Sequence, residues 1–569
     1  MTRDETAATR AFRAARDVLL EHREDLESAR RAFVWPRPEY FNWALEWFDV
    51  IAVDNVAPAL RILGREADGS ADVEVSYQDM SRRSDQVAGW LRGLGVRRGD
   101  HVLVVLNNRV ELWETLLAAM KLGAVVVPTY TTTTAPELAD RIERAEIRHV
   151  IAEADTVPRF AGIGGSWTRV VAGGRAEGWL PFEESSRADG EFVPDGPTRA
   201  ADPLFRYFTS GTTSRPKMVA HTHLSYPVGH LSGMYWNGVR PGDRHFNVSA
   251  PGWAKHAWSS FFVPWNAEAT AVALAAPRPT PGDVLTALRT REITTMCAPP
   301  TVWRGMVQEG LGGRPRGLRE ATAVGESLEP ALFHAVYDAW GLPVRDGFGQ
   351  TETTAQIGNT PGRTVVPGRM GWALPGYELR LLDRESGTEA PAGTPGELCV
   401  RLSPAPAGMM TGYAGDEART AQAFQDGYYH TGDLVVRHED DSYAYVGRTD
   451  DMFKSFDHRL SPLELERALL RSDAVGHAAV VPVPHPVGLW QPKAYVVPAR
   501  GHRPGAETAR AVFADMTRQL PREKWVRLLE FTTELPLTAS GKIRRAELRT
   551  RTESTGPVHE LSGAEGTER

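Results

Sequence analysis

Along the chain, stretches with apolar residues at helical spacing alternate with short runs that are apolar at nearly every position. Residues 76–96 (SYQDMSRRSDQVAGWLRGLGV) predict a helix and 100–106 (DHVLVVL) a strand. Residues 111–128 (ELWETLLAAMKLGAVVVP) predict a helix running into a strand, 135–146 (APELADRIERAE) a helix, and 148–154 (RHVIAEA) a strand. Strands without polar alternation are covered on both faces, so the pattern predicts an α/β fold with parallel-rich sheets layered by helices. Residues 1–35, rich in Ala, Arg and Glu, predict one amphipathic helix. Pro391–Gly396 (PAGTPG) reads as a turn between strands. From Leu463 the pattern restarts with helix 463–472, strands 477–485 and 493–499, and helix 507–520, enough for a second, smaller α/β domain. Residues 551–569, rich in Glu, Ser, Thr and Gly, are expected to form a disordered tail.

A length of 569 residues agrees with more than one domain. Net charge is −7 with both signs spread along the chain, which argues against a nucleic-acid-binding surface while leaving room for a local basic cleft. Cys297 and Cys399 stand alone, so neither a disulfide framework nor a cysteine metal motif is expected. No apolar run reaches signal-peptide or membrane-spanning length, and a soluble cytoplasmic protein, monomer or homodimer, is expected.

The most informative segment is Tyr207–Lys217, YFTSGTTSRPK. Small hydroxyl residues and exposed backbone N–H groups can wrap a triphosphate, Gly211 allows close backbone approach, and Lys217 can place a charge near the outer phosphates. A plain Ser/Thr-rich surface loop has the same composition. The spacing differs from the Walker pattern, which places Gly-Lys-Ser/Thr after its glycines.

The segment resembles instead the phosphate loop of the adenylate-forming superfamily, with Ser214 where a second Gly is usual. The resemblance extends over about residues 35–550, in order: GLGVRRGDHVLVVL, MKLGAVVVPTYTTTT, AHTHLSY, VSAPGWAKHAWSSFFVPW, VGESL, DGFGQTETT, YYHTGDL, GRTDDMFK and LPLTASGKIRRAEL. It implies an N-terminal ATP- and substrate-binding domain over 1–447 and a mobile lid over 448–550, hinged near 447–451 at Asp450. It implies ATP and Mg²⁺ as cofactors and cleavage of ATP to AMP and pyrophosphate. Thr209, Ser210, Gly211, Thr212, Thr213 and Lys217 would hold phosphates, and Gly325, Glu326 and Ser327 would flank adenine. In Gly347-Phe348-Gly349-Gln350-Thr351-Glu352, Phe348 would face adenine, Thr351 would bond the AMP phosphate and Glu352 would hold Mg²⁺. Asp433 would accept from the ribose hydroxyls, with Arg448 near ribose or phosphate. Lys542, Lys217 and Thr213 are the catalytic candidates, Lys542 stabilising charge that develops at the α-phosphate.

The 248–265 segment resembles the acyl-pocket helix of medium-chain and aromatic acyl-CoA synthetases. Trp253 and Trp258 would flank a planar ring, and Lys255 or His256 would meet a carboxylate or a proton. A buried helix with these polar residues facing outward is the alternative. The coenzyme A half of the pattern departs from the family. Asp457 stands at the usual Gly, Gly488 at an Arg, and Arg522–Val526 replaces a Pro-Tyr-Lys segment. Sequence drift is one account. The other is a changed acceptor, and here an ATP-dependent diazotase of secondary metabolism acting on nitrite and an aromatic amine such as an aminobenzoate is the reading preferred. An aromatic or medium-chain acyl-CoA synthetase using a carboxylic acid and coenzyme A is the alternative.

Overall fold

The computed structural model describes residues 5–65, 69–209, 215–276, 278–384, 386–456, 458–486, 489–538, 543–551, 554 and 556–561. It divides into two units, residues 1–379 with 400–429, and residues 380–399 with 430–569. The architecture is the expected α/β one, a large unit with parallel-rich sheets and a smaller second unit. The hinge expected at 447–451 falls inside the second unit.

The first unit is built on a nine-stranded and an eight-stranded sheet. In the eight-stranded sheet, strand His101–Val105 lies between Val125–Pro128 and Ile147–Glu153, parallel to both. All five of its residues are buried, as the apolar run Val102–Val105 after His101 requires. In the nine-stranded sheet the parallel run ends at Val344–Gln350, which turns back antiparallel into Thr354–Gly358. The expected helices form over Tyr77–Gly93, Val110–Leu122 and Ala135–Arg144. The first is started by Ser76, which accepts from Asp79 N, and the second is ended by left-handed Gly123.

Helix Ser225–Asn237 is buried at every position and carries Trp236 under the hairpin. A Cβ at Gly347 would lie 2.4 Å from the Trp236 ring and one at Gly358 2.2 Å from it. Both positions therefore exclude any side chain, and the indole fixes the height of the strand that ends in Gln350.

Two sequence expectations change. The N-terminal segment is two helices, Ala7–Glu21 and Leu26–Ala32, because Asp25 caps the second by accepting from Ser28 N. In the segment expected to be a disordered tail, Val558–Glu560 pairs antiparallel with Leu528–Phe531, and Leu561 packs on the core of the second unit. Residues 562–569 lie outside the described residues.

The second unit holds helices Pro462–Leu469 and Ala506–Thr517 against a long hairpin, Val475–His485 with Leu489–Pro498. Among the described residues, no helix is long and apolar enough to cross a membrane.

Candidate active site

Lys217 opens strand Lys217–Thr222 and pairs with Thr209, so the phosphate loop joins two antiparallel strands. Ser210, Gly211, Thr212, Thr213 and Ser214 themselves lie outside the described residues. The Lys217 ammonium sits 5.1 Å from the centre of the Tyr413 ring, a cation–π contact. The same tyrosine donates its hydroxyl to Glu352 Oε1 at 3.1 Å. One aromatic ring thus ties the phosphate-loop lysine to the carboxylate expected to hold a metal. Around Lys217 lies a cavity of about 360 Å³ lined by Arg144, Arg215, Lys217, Tyr413, Asp416 and Arg419. Four cations against one carboxylate suit a polyanion.

Glu352 is half-buried, and among the described residues no cation pairs with it. Its second oxygen is left for a hard cation, so the residue fits Mg²⁺. The segment carrying it is held tightly. Glu352 O accepts from Met410 N at 2.8 Å, and Gln350 Oε1 accepts from the Tyr429 hydroxyl at 2.8 Å. Thr351 O accepts from His221 Nε2 at 2.6 Å, while His221 Nδ1 meets the Ser225 hydroxyl at 2.9 Å. Burial lowers His221 to about 4, so the ring is neutral with its proton on Nε2. Thr354 takes a left-handed backbone (φ 57°) and bonds the Tyr377 hydroxyl at 2.9 Å. Tyr377 in turn donates to Thr353 O.

Glu397, Cys399 and His430 form a second group of potential ligands, in the smaller unit. They contact one another, with Cys399 Sγ 3.5 Å and Glu397 Oε2 3.3 Å from His430 Nδ1, Glu397 also accepts from Gly432 N at 3.1 Å, and His430 Nε2 is buried without a hydrogen-bond partner among the described residues.

Of the adenine candidates, Gly325 has positive φ (108°), and a Cβ there would lie 3.0 Å from the Trp253 ring. The structure therefore brings Gly325 and Trp253 together. Glu326 accepts from the Thr301 hydroxyl through both oxygens, at 2.6 and 2.7 Å. Ser327, Phe348 and Gly349 are half-buried on the same unit.

The pocket helix is continuous from Ala254 to Asn266 but loosens into a π-turn over Trp258–Phe262. It is enclosed throughout, which overturns the alternative of outward-facing polar residues: Lys255 and His256 are each 3% exposed. Lys255 Nζ donates to Asn247 Oδ1 at 2.8 Å and has the Cys297 thiol within reach. Burial lowers its pKa, and the nearby thiol partly opposes that. His256 Nε2 meets Asn108 Oδ1 at 2.8 Å, and burial together with Lys255 lowers it to about 3. Trp258 turns away into the core and donates to the Tyr226 hydroxyl at 3.0 Å, while Trp253 stays half-buried.

In the smaller unit, Asp433 is buried and pairs across a hairpin with Arg448. Its oxygens accept from the Tyr445 hydroxyl at 2.9 Å and from Arg448 at 3.2 Å. Lys542, Asp457 and Gly488 lie outside the described residues. The sequence reading missed Tyr413, Asn247 and Cys297. Gly412-Tyr413, three residues before the Asp416 cap, was the available signal for the first. The other two are single residues on separate strands and carry no local signal.

The family model described as AMP-binding enzyme matches residues 54–414, and that of the AMP-binding enzyme C-terminal domain matches 464–542. The chain is 38% identical to 4-hydroxybutyrate–CoA ligase 1 of Metallosphaera sedula, over 90% of this chain and 91% of that one. It is 30% identical to the mitochondrial acyl-coenzyme A synthetase ACSM3 of Mus musculus, over 92% of each chain. Among solved structures, the anthranilate CoA ligase AuaEII in complex with anthranoyl-AMP aligns with a TM-score of 0.81 at 28% identity, covering 90% of this chain and 97% of that one. A benzoate CoA ligase from Burkholderia xenovorans LB400 aligns with a TM-score of 0.77 at 27% identity, covering 90% and 100%.

Proposed function

The chain belongs to the AMP-binding enzyme family of ATP-dependent, AMP-forming ligases, and on that footing we propose that it converts a small carboxylic acid and coenzyme A into the acyl-CoA thioester. The observation that carries the site assignment is the Lys217–Tyr413–Glu352 relay, a phosphate-seeking ammonium and a metal-seeking carboxylate held on one ring. In the first half-reaction the acid's carboxylate oxygen attacks the α-phosphate of ATP, and pyrophosphate leaves. Lys217 and Thr213 hold the outer phosphates, and Lys542 stabilises the charge shared between entering and leaving oxygens. Glu352 would hold Mg²⁺, which supplies charge neutralisation at the phosphates. Asp433 and Arg448 bind the ribose. In the second half-reaction the thiol attacks the acyl carbon of the mixed anhydride, its proton is lost to solvent, and AMP leaves.

Relatives acting on 4-hydroxybutyrate, anthranilate and benzoate support a small aliphatic or aromatic acid, presented along Trp253 toward Lys255. These relatives favour the synthetase over the nitrite-activating diazotase that Asp457 and Gly488 suggested. The deciding experiment supplies ATP and Mg²⁺ with 4-hydroxybutyrate, butyrate, benzoate or anthranilate plus coenzyme A, and in parallel nitrite plus an aminobenzoate. The expected result is AMP, pyrophosphate and a thioester in the first set. ADP as the nucleotide product, or diazo absorbance without any thioester, would overturn the proposal.

A further inference from the structure

Lys542 lies in a short segment whose two ends are fixed within the smaller unit. Leu537 and Ile543 form an antiparallel bridge, and Arg544 N donates to Pro536 O at 2.8 Å, closing the base of that segment. Three residues beyond Lys542, Arg545 begins helix Arg545–Thr550. Its guanidinium forks onto Glu466, with contacts of 2.6, 2.9 and 3.1 Å. Glu466 is 3% exposed and also accepts from Val480 N at 2.8 Å, so its carboxylate is well anchored.

A second carboxylate meets the same helix. Asp451 Oδ2 lies 3.6 Å from Arg545, and Asp451 Oδ1 accepts from Arg549 at 2.7 Å. Arg545 and Arg549 are four residues apart, hence on one helical face, and both turn to this one side chain. Glu466 neutralises Arg545, and Asp451 is the carboxylate that Arg549 meets. Its position is informative as well. Asp451 follows Asp450, the residue at which the two half-reactions are expected to exchange conformations.

Resting on the catalytic assignment of Lys542, we propose that Asp451 is a positioning residue: through Arg545 and Arg549 it ties the turn after strand Tyr443–Arg448 to the helix that follows Lys542 in the chain, and so governs how precisely the lysine is delivered. Asp451 touches no substrate in this scheme. Its loss leaves Lys542 present but imprecisely delivered, and only the half-reaction that uses Lys542 suffers.

The test separates the two half-reactions of the full-length enzyme. Adenylation is followed as single-turnover pyrophosphate release from ATP and acid. Thioester formation is followed from supplied acyl-adenylate and coenzyme A, which bypasses Lys542. Asp451→Asn should slow adenylation about tenfold or more while thioester formation stays within about twofold, the size expected for misplacement of a transition-state group. Asp451→Glu, which keeps the charge, should restore at least about half of the adenylation rate, and Arg549→Met should repeat the selective loss. An equal fall in both half-reactions would make Asp451 a stability residue and overturn the proposal. A selective fall in thioester formation would assign it to rotation alone, also overturning it. Lys542→Ala is the control on the underlying reading. If that variant adenylates normally, the role given to Lys542 falls first, and the inference with it.

Discussion

Lys255 Nζ donates to Asn247 Oδ1 at 2.8 Å in the interior of the fold, and among the described residues no carboxylate pairs with it. Lys121 is equally buried, yet it meets Asp49 at 2.9 Å and Asp85 at 2.7 Å. One lysine is held by structure; the other is left with a neutral amide, a thiol and a tryptophan face 5.8 Å away. A buried ammonium without a counter-ion is costly to the fold, which fits a group kept for a substrate acid. Lys121→Met strands two carboxylates and should destabilise the protein by about 3–5 kcal/mol in urea titrations. Lys255→Met should stay within about 1 kcal/mol of the parent or exceed it, while kcat/KM for the acid falls about tenfold or more. Equal destabilisation by the two substitutions would refute the distinction.

Tyr413 gives a second test, because it holds both Glu352 and Lys217. Removing only its hydroxyl keeps the ring under Lys217 and frees Glu352. Tyr413→Phe should therefore raise the Mg²⁺ concentration needed for half-maximal AMP release about tenfold, the usual effect of losing a partner of a metal-binding carboxylate. Tyr413→Leu should in addition weaken ATP binding, since the cation–π contact goes as well. An unchanged Mg²⁺ titration for Tyr413→Phe would count against Glu352 as the metal ligand.

Acid sensitivity follows from the buried histidines. His221 is lowered to about 4 and His256 to about 3, chiefly by burial. Both folded values lie below the ordinary 6.5. Between those limits the unfolded chain binds more protons than the native one, so stability is fully present above about pH 6.5 and is lost as pH falls toward 4. Urea midpoints should drop steadily from pH 7 to pH 5. His256→Gln should flatten the dependence of unfolding free energy on pH by up to about 1.4 kcal/mol per pH unit. Parallel profiles for the variant and the parent would remove His256 from this account.

The parts of the fold legible in the sequence were those encoded by local pattern. His101–Val105 could be recognised as a buried parallel strand because all five residues are apolar or tolerated in the interior, and Asp25 lacked any such regularity to reveal the helix break before Leu26. Single-segment motifs placed Lys217 and Glu352 in order along the chain, but their link is Tyr413, which lies 61 residues from Glu352. No periodicity encodes a contact at that separation. The inward orientation of Lys255 and His256 was equally hidden, because a helix buried on every side shows no polar face from which to infer direction.

The departures in the coenzyme A half of the sequence yield the last test. Ser455 pairs with His458 across the hairpin of Phe453–Ser455 and His458–Leu460; of the two residues between them, Phe456 is described and Asp457 lies outside the described residues. Such turns favour left-handed backbones, and Phe456 adopts one, with φ 52° and its ring half exposed. A bulky aromatic pays a steric penalty there, because its own Cβ crowds the backbone. The resemblance to acyl-CoA synthetases implies glycine at the second of these positions, beside the path of the incoming thiol, whereas this chain has Asp457. If Asp457 impedes the thiol, Asp457→Gly should raise kcat/KM for coenzyme A about fivefold or more and leave adenylation within about twofold. The change should appear in the thioester step measured from supplied acyl-adenylate, not in pyrophosphate release. A variant with unchanged thioester kinetics would make Asp457 a tolerated substitution, and the source of any slow coenzyme A turnover would then have to be sought at Gly488 and Arg522–Val526.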